Sequence, residues 1–499
     1  MPVDVAKEAS REPAETVPQR RTLIFVAALF SVFITSVEST IVSTSMPTIV
    51  GALGGFELLS WVFTAYLLTQ AVSIPIYGRF ADLYGRKPVL LTGLAFFLVG
   101  SILCGFAWNM GALVLFRVLQ GMGAGSISSV SRTLIGDIYH GADRARMQGY
   151  VSGTFVSAAV SGPLIGSFLT THTSWPMVFW ANIPIGCIAG LILITVLHEN
   201  IERRQHRIDW GGSVLIALGA GLLMFALSKA SSLGVLLSLS LGGAALLVLV
   251  VFAFYERRVA EPIWPTALWH NGVNNRGNLV SLALGATTMG IAAYLPIYMK
   301  DVMGLSTLIA GLTVMSISAS GPTGAFLGGR IMLRSNFRTS ACCGGVIYIV
   351  GTLFMSRLAP DSGPYWAIMS GLMMGFGIGM NNNTYMVAIQ ADSGWHLRGA
   401  ATGAFMFCRI LGQAMGAAAF GGVLNAQLSP YLGSGDEDLV SRLSDPHFAQ
   451  SLAPEVMAPL FGAFDGALHV IFTIMIGLSL FVISVGLSLP RQRGLRQNG

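Results

Sequence analysis

The chain is 499 residues long, with only 10% charged and 53% hydrophobic residues and a mean hydropathy of +0.68. This excludes an ordinary soluble domain, in which about a quarter of residues are charged, and sets the expectation of an all-α polytopic membrane protein. The excess positive charge, +6, would point to nucleic acid in a soluble chain. Here it lies in short segments between apolar runs and reads as a membrane-orientation signal, so no nucleic-acid partner is expected.

Requiring about twenty mostly apolar residues per span, fourteen helices are predicted, centred near residues 33, 69, 98, 123, 159, 188, 220, 245, 288, 317, 348, 376, 411 and 475. Residues 1–21 are polar and end in Arg20 and Arg21. The run after them is too long for a signal-peptide core, so a disordered cytoplasmic tail and a retained first helix are expected. Residues 22–200 then form a six-helix bundle, 201–260 a linker with two extra spans, 261–490 a second six-helix bundle and 491–499 a second cytoplasmic tail. The two extra spans carry almost no polar side chains and read as a lipid-facing insert that joins the halves.

Basic residues concentrate on one side: Arg20 and Arg21 before the first span, Arg86 and Lys87 after the second, Arg203, Arg204 and Arg207 after the sixth. The positive-inside rule places both termini in the cytoplasm and the chain in a cell inner (plasma) membrane. The long outer segment from Asn425 to Leu460, with Asp436, Glu437 and Asp438, reads as a solvated loop. Cys104, Cys187, Cys342, Cys343 and Cys408 all fall in apolar runs, are odd in number and lack metal-ligand spacing, so neither a disulfide framework nor a metal is expected. No P-loop, H-E-x-x-H motif or nucleophile elbow appears, which argues against an enzyme.

The most informative charge is Glu38, deep in the first apolar run. A carboxylate there costs a few kcal/mol to insert and by default marks an ion or substrate path. On a helix, Ser31, Thr35, Glu38 and Ser45 fall near one stripe, which reads as a face lining water. Glu38 is the expected proton carrier; a packed acid with a structural partner is the alternative. Arg117 lies about six residues from the outer end of the fourth helix and Glu38 about eight from that of the first, roughly 9 and 12 Å deep. The two are therefore expected to meet.

The loop after the second helix, Gly78-Arg79-Phe80-Ala81-Asp82-Leu83-Tyr84-Gly85-Arg86-Lys87, has a decayed copy after the tenth, Gly328-Gly329-Arg330-Ile331-Met332-Leu333-Arg334. Such repeats, with a substrate site between the halves, are a recurrent transporter plan. The first loop resembles the signature loop of the major facilitator superfamily, with Phe80 in place of the usual leucine. Glu38 to Val42 with Met46-Pro47, Trp61 to Leu68, Arg117 to Gly123, Gly162 to Gly166 and Asn182 to Gly186 resemble motifs of its fourteen-spanning drug:proton antiporter branch, the EmrB/QacA type. Glu38 replaces the usual aspartate, Ser43 the usual asparagine, and the tenth span lacks the acid that some cation exporters carry there.

The resemblance implies a major facilitator fold of two six-helix bundles plus two inserted helices. It also implies proton-coupled efflux of lipophilic drugs by alternating access, without a cofactor. Glu38 and Arg117 then form the proton-coupling pair. Gly78, Asp82, Gly85, Arg86, Lys87 and Asp137 form a conformational latch, in which Asp82 faces the thirteenth helix near Arg398 to Thr402 and Asp137 bridges to Arg86. Gly162, Pro163 and Gly166 form a kinked, closely packed seam that resists proton leak.

Thr35, Tyr66, Gln70, Gln120, Asn381, Asn382, Tyr385 and Arg409 are candidate groups of the substrate cavity. Arg409 has two open readings, an anion binder or a structural arginine. The expected partners are a small-molecule substrate, protons and the lipid bilayer; an accessory periplasmic adaptor is a further one that the residues do not specify. An exporter of one metabolite, siderophore or lipid, and a non-transporting membrane receptor or scaffold, stand as alternatives.

Overall fold

The computed structural model describes residues 18–139, 141–199, 209–228, 235–259, 262, 268, 271–393, 398–428 and 454–490. Among them run fourteen long helices: α1 (Pro18–Leu53), α2 (Leu59–Tyr84), α3 (Arg86–Gly105), α4 (Met110–Ile138), α5 (Gly141–His172), α6 (Asn182–Val196) and α7 (Trp210–Ser228), then α8 (Val235–Glu256), α9 (Gly272–Ile297), α10 (Thr307–Arg334), α11 (Phe337–Met355), α12 (Gly363–Asp392), α13 (Arg398–Leu428) and α14 (Pro454–Leu487). Each predicted centre falls inside one of them. Twelve are long and apolar enough to cross a membrane by length and composition; α10 and α12, equally long, are diluted by glycine, serine and asparagine.

Helix α1 begins at Pro18, so Arg20 and Arg21 sit in its first turn rather than in the predicted tail. Proline is pre-organised for a first turn, where its missing N–H is no loss. The predicted loop at Asp436 to Asp438 and the tail 491–499 lie outside the described residues.

The two bundles repeat one packing scheme. In the first, α1 packs on α5 and α6, and α4 lies between α2 and α3; in the second, α9 packs on α13 and α14, and α12 lies between α10 and α11. Glycines set these seams. Gly121 and Gly125 of α4 press on the Tyr66 and Gln70 carbonyls of α2, as Gly375 and Gly379 of α12 press on the Ile317 and Gly321 carbonyls of α10. Gly162 and Gly166 of α5 meet Thr40 and Ile41 of α1, as Gly412 and Gly416 of α13 meet Leu282 and Ala286 of α9. Small residues four apart let backbones touch where lipid supplies no hydrophobic drive.

Between the halves, α2 packs on α13 and α5 on α10, the same contact made twice by the internal repeat. We call the face bearing Pro18 and Leu487 proximal and the opposite face distal. The seam is closed at its distal end: Asn425 Nδ2 donates to the Glu57 carbonyl at 3.0 Å, Phe56 meets Phe464 edge-on at 5.6 Å, and Gly421 abuts Ser60. Helix α7 touches both α2 and α13, with Trp61 against Phe225, whereas α8 packs mainly on α7 and leaves Leu236, Leu239, Leu246, Leu247 and Phe254 exposed. Helix α8 thus presents an apolar outer face, and α7 lies against one helix of each bundle.

Candidate functional site

Glu38 and Arg117 are both 0% exposed and bond directly, Arg117 Nη1 donating to Glu38 Oε1 at 2.6 Å. The other Glu38 oxygen accepts from Asn182 Nδ2, at the start of α6. Arg117 also donates through Nε to the Val62 carbonyl at 3.2 Å and through Nη1 to Gln120 Oε1 at 2.6 Å. Gln120 Nε2 reaches Ser101 Oγ at 2.8 Å, and Cys104 Sγ donates weakly to Gln120 Oε1 at 3.9 Å. The Tyr66 ring lies under the guanidinium, 4.1 Å from Cζ. One charge pair thus ties together α1, α2, α3, α4 and α6.

Helical spacing makes this cluster possible. Arg117 and Gln120 are three apart on α4 and Ser101 and Cys104 three apart on α3, so each pair shares a helix face. The network is nearly but not wholly closed: Arg117 Nη2 and the Tyr66 hydroxyl are buried without a partner. Such orphans are costly in low dielectric.

The stripe expected to line water is instead packed. Ser31, Ser43 and Ser45 are buried and bond carbonyls of their own helix, Ser31 to Ala27 at 2.9 Å and Ser45 to Ile41 at 2.8 Å. Thr35 does the same with Ser31 and Val32. Hydroxyls satisfied by the preceding turn cross lipid or protein without water. Tyr66 and Gln120, expected in the cavity, belong to the charge cluster. Asn381 and Tyr385 are also packed inside the second bundle: Asn381 Nδ2 donates to Gly377 O, and the Asn381 Oδ1 and Tyr385 hydroxyl are without partners. Gln70 donates to Ser128 at 3.1 Å on the α2–α4 seam, Asn382 is part-buried, and Arg409 is part-buried on α13.

At the proximal end, Gly85 joins α2 to α3 with φ +92°, a conformation that an L side chain rarely adopts. Arg86 Nε donates to Asp137 at 2.8 Å across the α3–α4 pair. Glu199, which sequence reasoning did not single out, accepts from the backbone N–H groups of Arg86 and Lys87 at 3.0 and 2.9 Å. A carboxylate there satisfies orphan donors and meets the positive end of the helix dipole. Lys87 Nζ completes the exchange by donating to the Ile194 and Leu197 carbonyls at the end of α6, at 2.8 and 2.6 Å. Gly78 packs on Ser129. The Asp82 side chain, and its expected meeting with the start of α13, lie outside the described residues.

Helix α5 runs unbroken through Pro163. Its Gly162 and Gly166 receive Thr40 and Thr44 of α1, and the Pro163 carbonyl lies against Gly311 of α10. The seam therefore joins the halves as well as packing the first bundle. Asn182, Ser101, Cys104 and Glu199 are the site residues that sequence reasoning missed. A polar amide interrupting the apolar run Val178 to Ile185 was the available signal for Asn182.

Two repeated six-helix bundles with a buried ion pair in the first define a class, the two-domain helical membrane transporters. The model of the Major Facilitator Superfamily matches residues 28–417. The chain belongs to that superfamily. It is 31% identical over 434 residues to Multidrug resistance protein 3 of Bacillus subtilis (strain 168), covering 85% of each chain. It is also 31% identical over 426 residues to the Multidrug transporter protein MdtP of the same organism, covering 83% of this chain and 79% of that one. Among solved structures, a bacterial homolog of the human lysosomal transporter Spinster, inward-facing and occupied, aligns with TM-score 0.68 at 13% identity, over 95% of this chain and 98% of that one. That likeness concerns the fold.

Proposed function

We propose that the chain is a proton-coupled antiporter that exports lipophilic drugs or related small molecules, in the fourteen-spanning branch of its superfamily. Glu38 is the observation that carries the reading. It is a fully buried carboxylate, with one oxygen on Arg117 and the other on Asn182. Relatives that carry the names multidrug resistance protein and multidrug transporter support the substrate class.

A proton from the distal, outer side neutralises Glu38 and turns an ion pair into a weaker bond between a cationic donor and a neutral acid. Arg117 then relaxes toward Gln120 and the Val62 carbonyl, and the helices that it ties together shift. Release of the proton on the cytoplasmic side restores the pair. On this reading the distally closed seam belongs to an inward-facing state of the cycle. In the reverse state the Gly78–Lys87 loop with Asp82 and Asp137 latches the proximal ends, while the Gly162-Pro163-Gly166 seam keeps protons from leaking. Both termini are cytoplasmic. The cycle needs no cofactor.

The test is substrate-induced proton release from purified protein in weakly buffered detergent, with ethidium, a neutral amphiphile and an organic anion as probes. Release in wild type that disappears in Glu38→Gln, with probe binding retained, is expected. Unchanged release in the variant sinks the assignment of Glu38 as carrier. A second reading, an exporter of a more specific anionic metabolite or lipid, is favoured by the lack of any acid in α10 and by the part-buried Arg409.

A further inference from the structure

The turn from α10 to α11 repeats the turn from α2 to α3, yet only the first of the two halves balances its charge there. In the first, Arg86 is held by Asp137, Lys87 by two carbonyls, and Glu199 takes the leading amides of α3. The second carries Arg330 and Arg334 in the last two turns of α10 and Arg338 at the second position of α11. No Asp or Glu lies between Asp301 and Asp361, both at distal helix ends. Asp392, exposed at the end of α12, is bonded to none of the three arginines. Among the described residues Arg330, Arg334 and Arg338 make neither an ion pair nor a hydrogen bond. The start of α11 is satisfied without charge, Asn336 Oδ1 accepting from the Thr339 amide at 2.8 Å.

Arg330 and Arg334 are four residues apart on one helix and so are neighbours on its surface. They lie on the side of α10 turned away from its bundle. Gly324 and Gly328 press on Phe376 and Met380 of α12, and opposite these glycines runs an exposed stripe of Leu308, Leu312, Phe326, Arg330 and Arg334. The stripe is apolar from the distal end down to Phe326, which is 67% exposed, and becomes cationic only in the last two turns. On a membrane-spanning helix such a face lies against lipid. Arg330 Cζ is 5.8 Å from the centre of the Phe326 ring, so this cation rests on the last apolar group of the stripe. Arg334 is about 6 Å nearer the proximal face, about the depth of one headgroup layer.

We infer that Arg330 and Arg334, flanked by Arg338, form a binding site for an anionic phospholipid. Its phosphate sits at the two guanidiniums, whose planar forks of donors suit phosphate oxygens, and its acyl chains run along the apolar part of the stripe. A zwitterionic headgroup brings its own cation to the site, whereas an anionic one leaves its whole charge to the arginines. The lipid gives the second half the counter-charge that Asp137 and Glu199 give the first. The site is peripheral to the transport path and stands whether or not Glu38 carries the proton.

The experiment places the full-length protein in phosphatidylcholine nanodiscs with a trace of phosphatidylglycerol or of phosphatidylcholine, each bearing a diazirine on one acyl chain, and maps the photolabelled peptides by mass spectrometry. The phosphatidylglycerol probe is expected to label α10 around Phe326 more heavily than the phosphatidylcholine probe. That excess should fall about fivefold in Arg330→Gln and again in Arg334→Gln, the effect of one cation near an anionic headgroup. Arg330→Lys and Arg334→Lys should keep most of it. Arg357→Gln, the same change of charge at the distal end of α11, should leave it unaltered. Unlabelled phosphatidylglycerol should compete for the site, and inorganic phosphate should not.

Equal labelling of α10 by the two probes overturns the inference, as does an undiminished excess in Arg330→Gln/Arg334→Gln. Loss of the label on adding inorganic phosphate also overturns it, because the site would then belong to a free anion. Label on the exposed outer face of α8, at Leu246 and Leu247, is the internal reference, and together with the lysine variants it separates loss of the site from loss of the fold. No proton movement is read, so this test and the Glu38→Gln test can each fail while the other holds.

Discussion

Breaking the Glu38–Arg117 pair from one side should be far more damaging than removing both charges. In Arg117→Ala the carboxylate keeps only Asn182, while the Gln120 and Val62 oxygens lose their donor. Removing one partner of a buried ion pair costs about 3–5 kcal/mol, because the other charge stays desolvated and unpaired. Glu38→Gln preserves shape and an acceptor oxygen for Arg117 but strands the guanidinium charge, at a cost of about 2–3 kcal/mol on the scale of charged hydrogen bonds. In Glu38→Gln/Arg117→Ala no buried charge remains, and the new amide keeps a neutral bond to Asn182. The double variant should then lie about 2–3 kcal/mol above the sum of the singles, the upper range for contacting residues.

Equilibrium unfolding of the purified protein in mixed micelles, read by tryptophan fluorescence for all four members of the cycle, measures the coupling. Additivity within about 0.5 kcal/mol, as found for distant independent sites, would falsify the claim that the two charges depend on each other. The same four proteins in the proton-release assay separate stability from coupling. The double variant should be folded, bind substrate and release no proton.

Other outcomes follow from the seams and ends. Gly166→Leu should lower thermal stability and expression by an overpacking cost of about 1–3 kcal/mol, since even a Cβ there would sit 2.8 Å from the Ile41 carbonyl; unchanged melting would mean that the α1–α5 seam is not close-packed. Gly85→Val should lose about 1–3 kcal/mol, because φ 92° with ψ 162° is a backbone conformation open essentially to glycine, whereas Tyr84→Ala, at an exposed neighbour, should be near neutral. Glu199→Gln should weaken the start of α3 by about 1 kcal/mol and raise hydrogen exchange at Arg86 and Lys87 above that of the α4 start. For topology, green fluorescent protein fused after residue 490 should fluoresce, and alkaline phosphatase fused after residue 172 should be active; the reverse pattern would overturn cytoplasmic termini.

The fold was legible because lipid leaves few choices. Each span must satisfy its own backbone and be about twenty residues long, so apolar runs place twelve of the fourteen described helices outright, and the spacing of the runs leaves room for the more polar α10 and α12. The pairing of Glu38 with Arg117 was legible for a related reason: two charges at similar depth in adjacent spans have few other partners. What the sequence did not reveal are contacts set by the third dimension. Ser101 looks like an incidental polar residue, and Asn182 like one position of a motif with no stated role, until α3 and α6 are packed against α4 and α1. Glu199 looks like part of a charged linker until the turn at Gly85 brings the first amides of α3 to it. The serine stripe of α1 misled because hydroxyl periodicity marks a wet face only when those hydroxyls lack a carbonyl one turn back, and here each of those named has one.

The partners of the Glu38–Arg117 pair constrain how a proton and a substrate can be coupled. Both groups are fully buried and held by Asn182, Gln120 and the Val62 carbonyl. On the proposed function, coupling to a substrate elsewhere in the molecule therefore travels through the helices that the pair ties together, α4 among them. Gly121 and Gly125 of α4 face α2 and Gly123 faces α3, and small sliding of packed helices is one way such a shift is carried. A side chain at Gly123, whose Cβ would sit 2.3 Å from the Phe97 amide nitrogen, should therefore uncouple proton release from substrate binding while leaving the Glu38–Arg117 pair chemically intact. Two binding isotherms and one pH trace on Gly123→Ala decide it: retained affinity with lost proton release supports the sliding helix, and fully retained coupling refutes it.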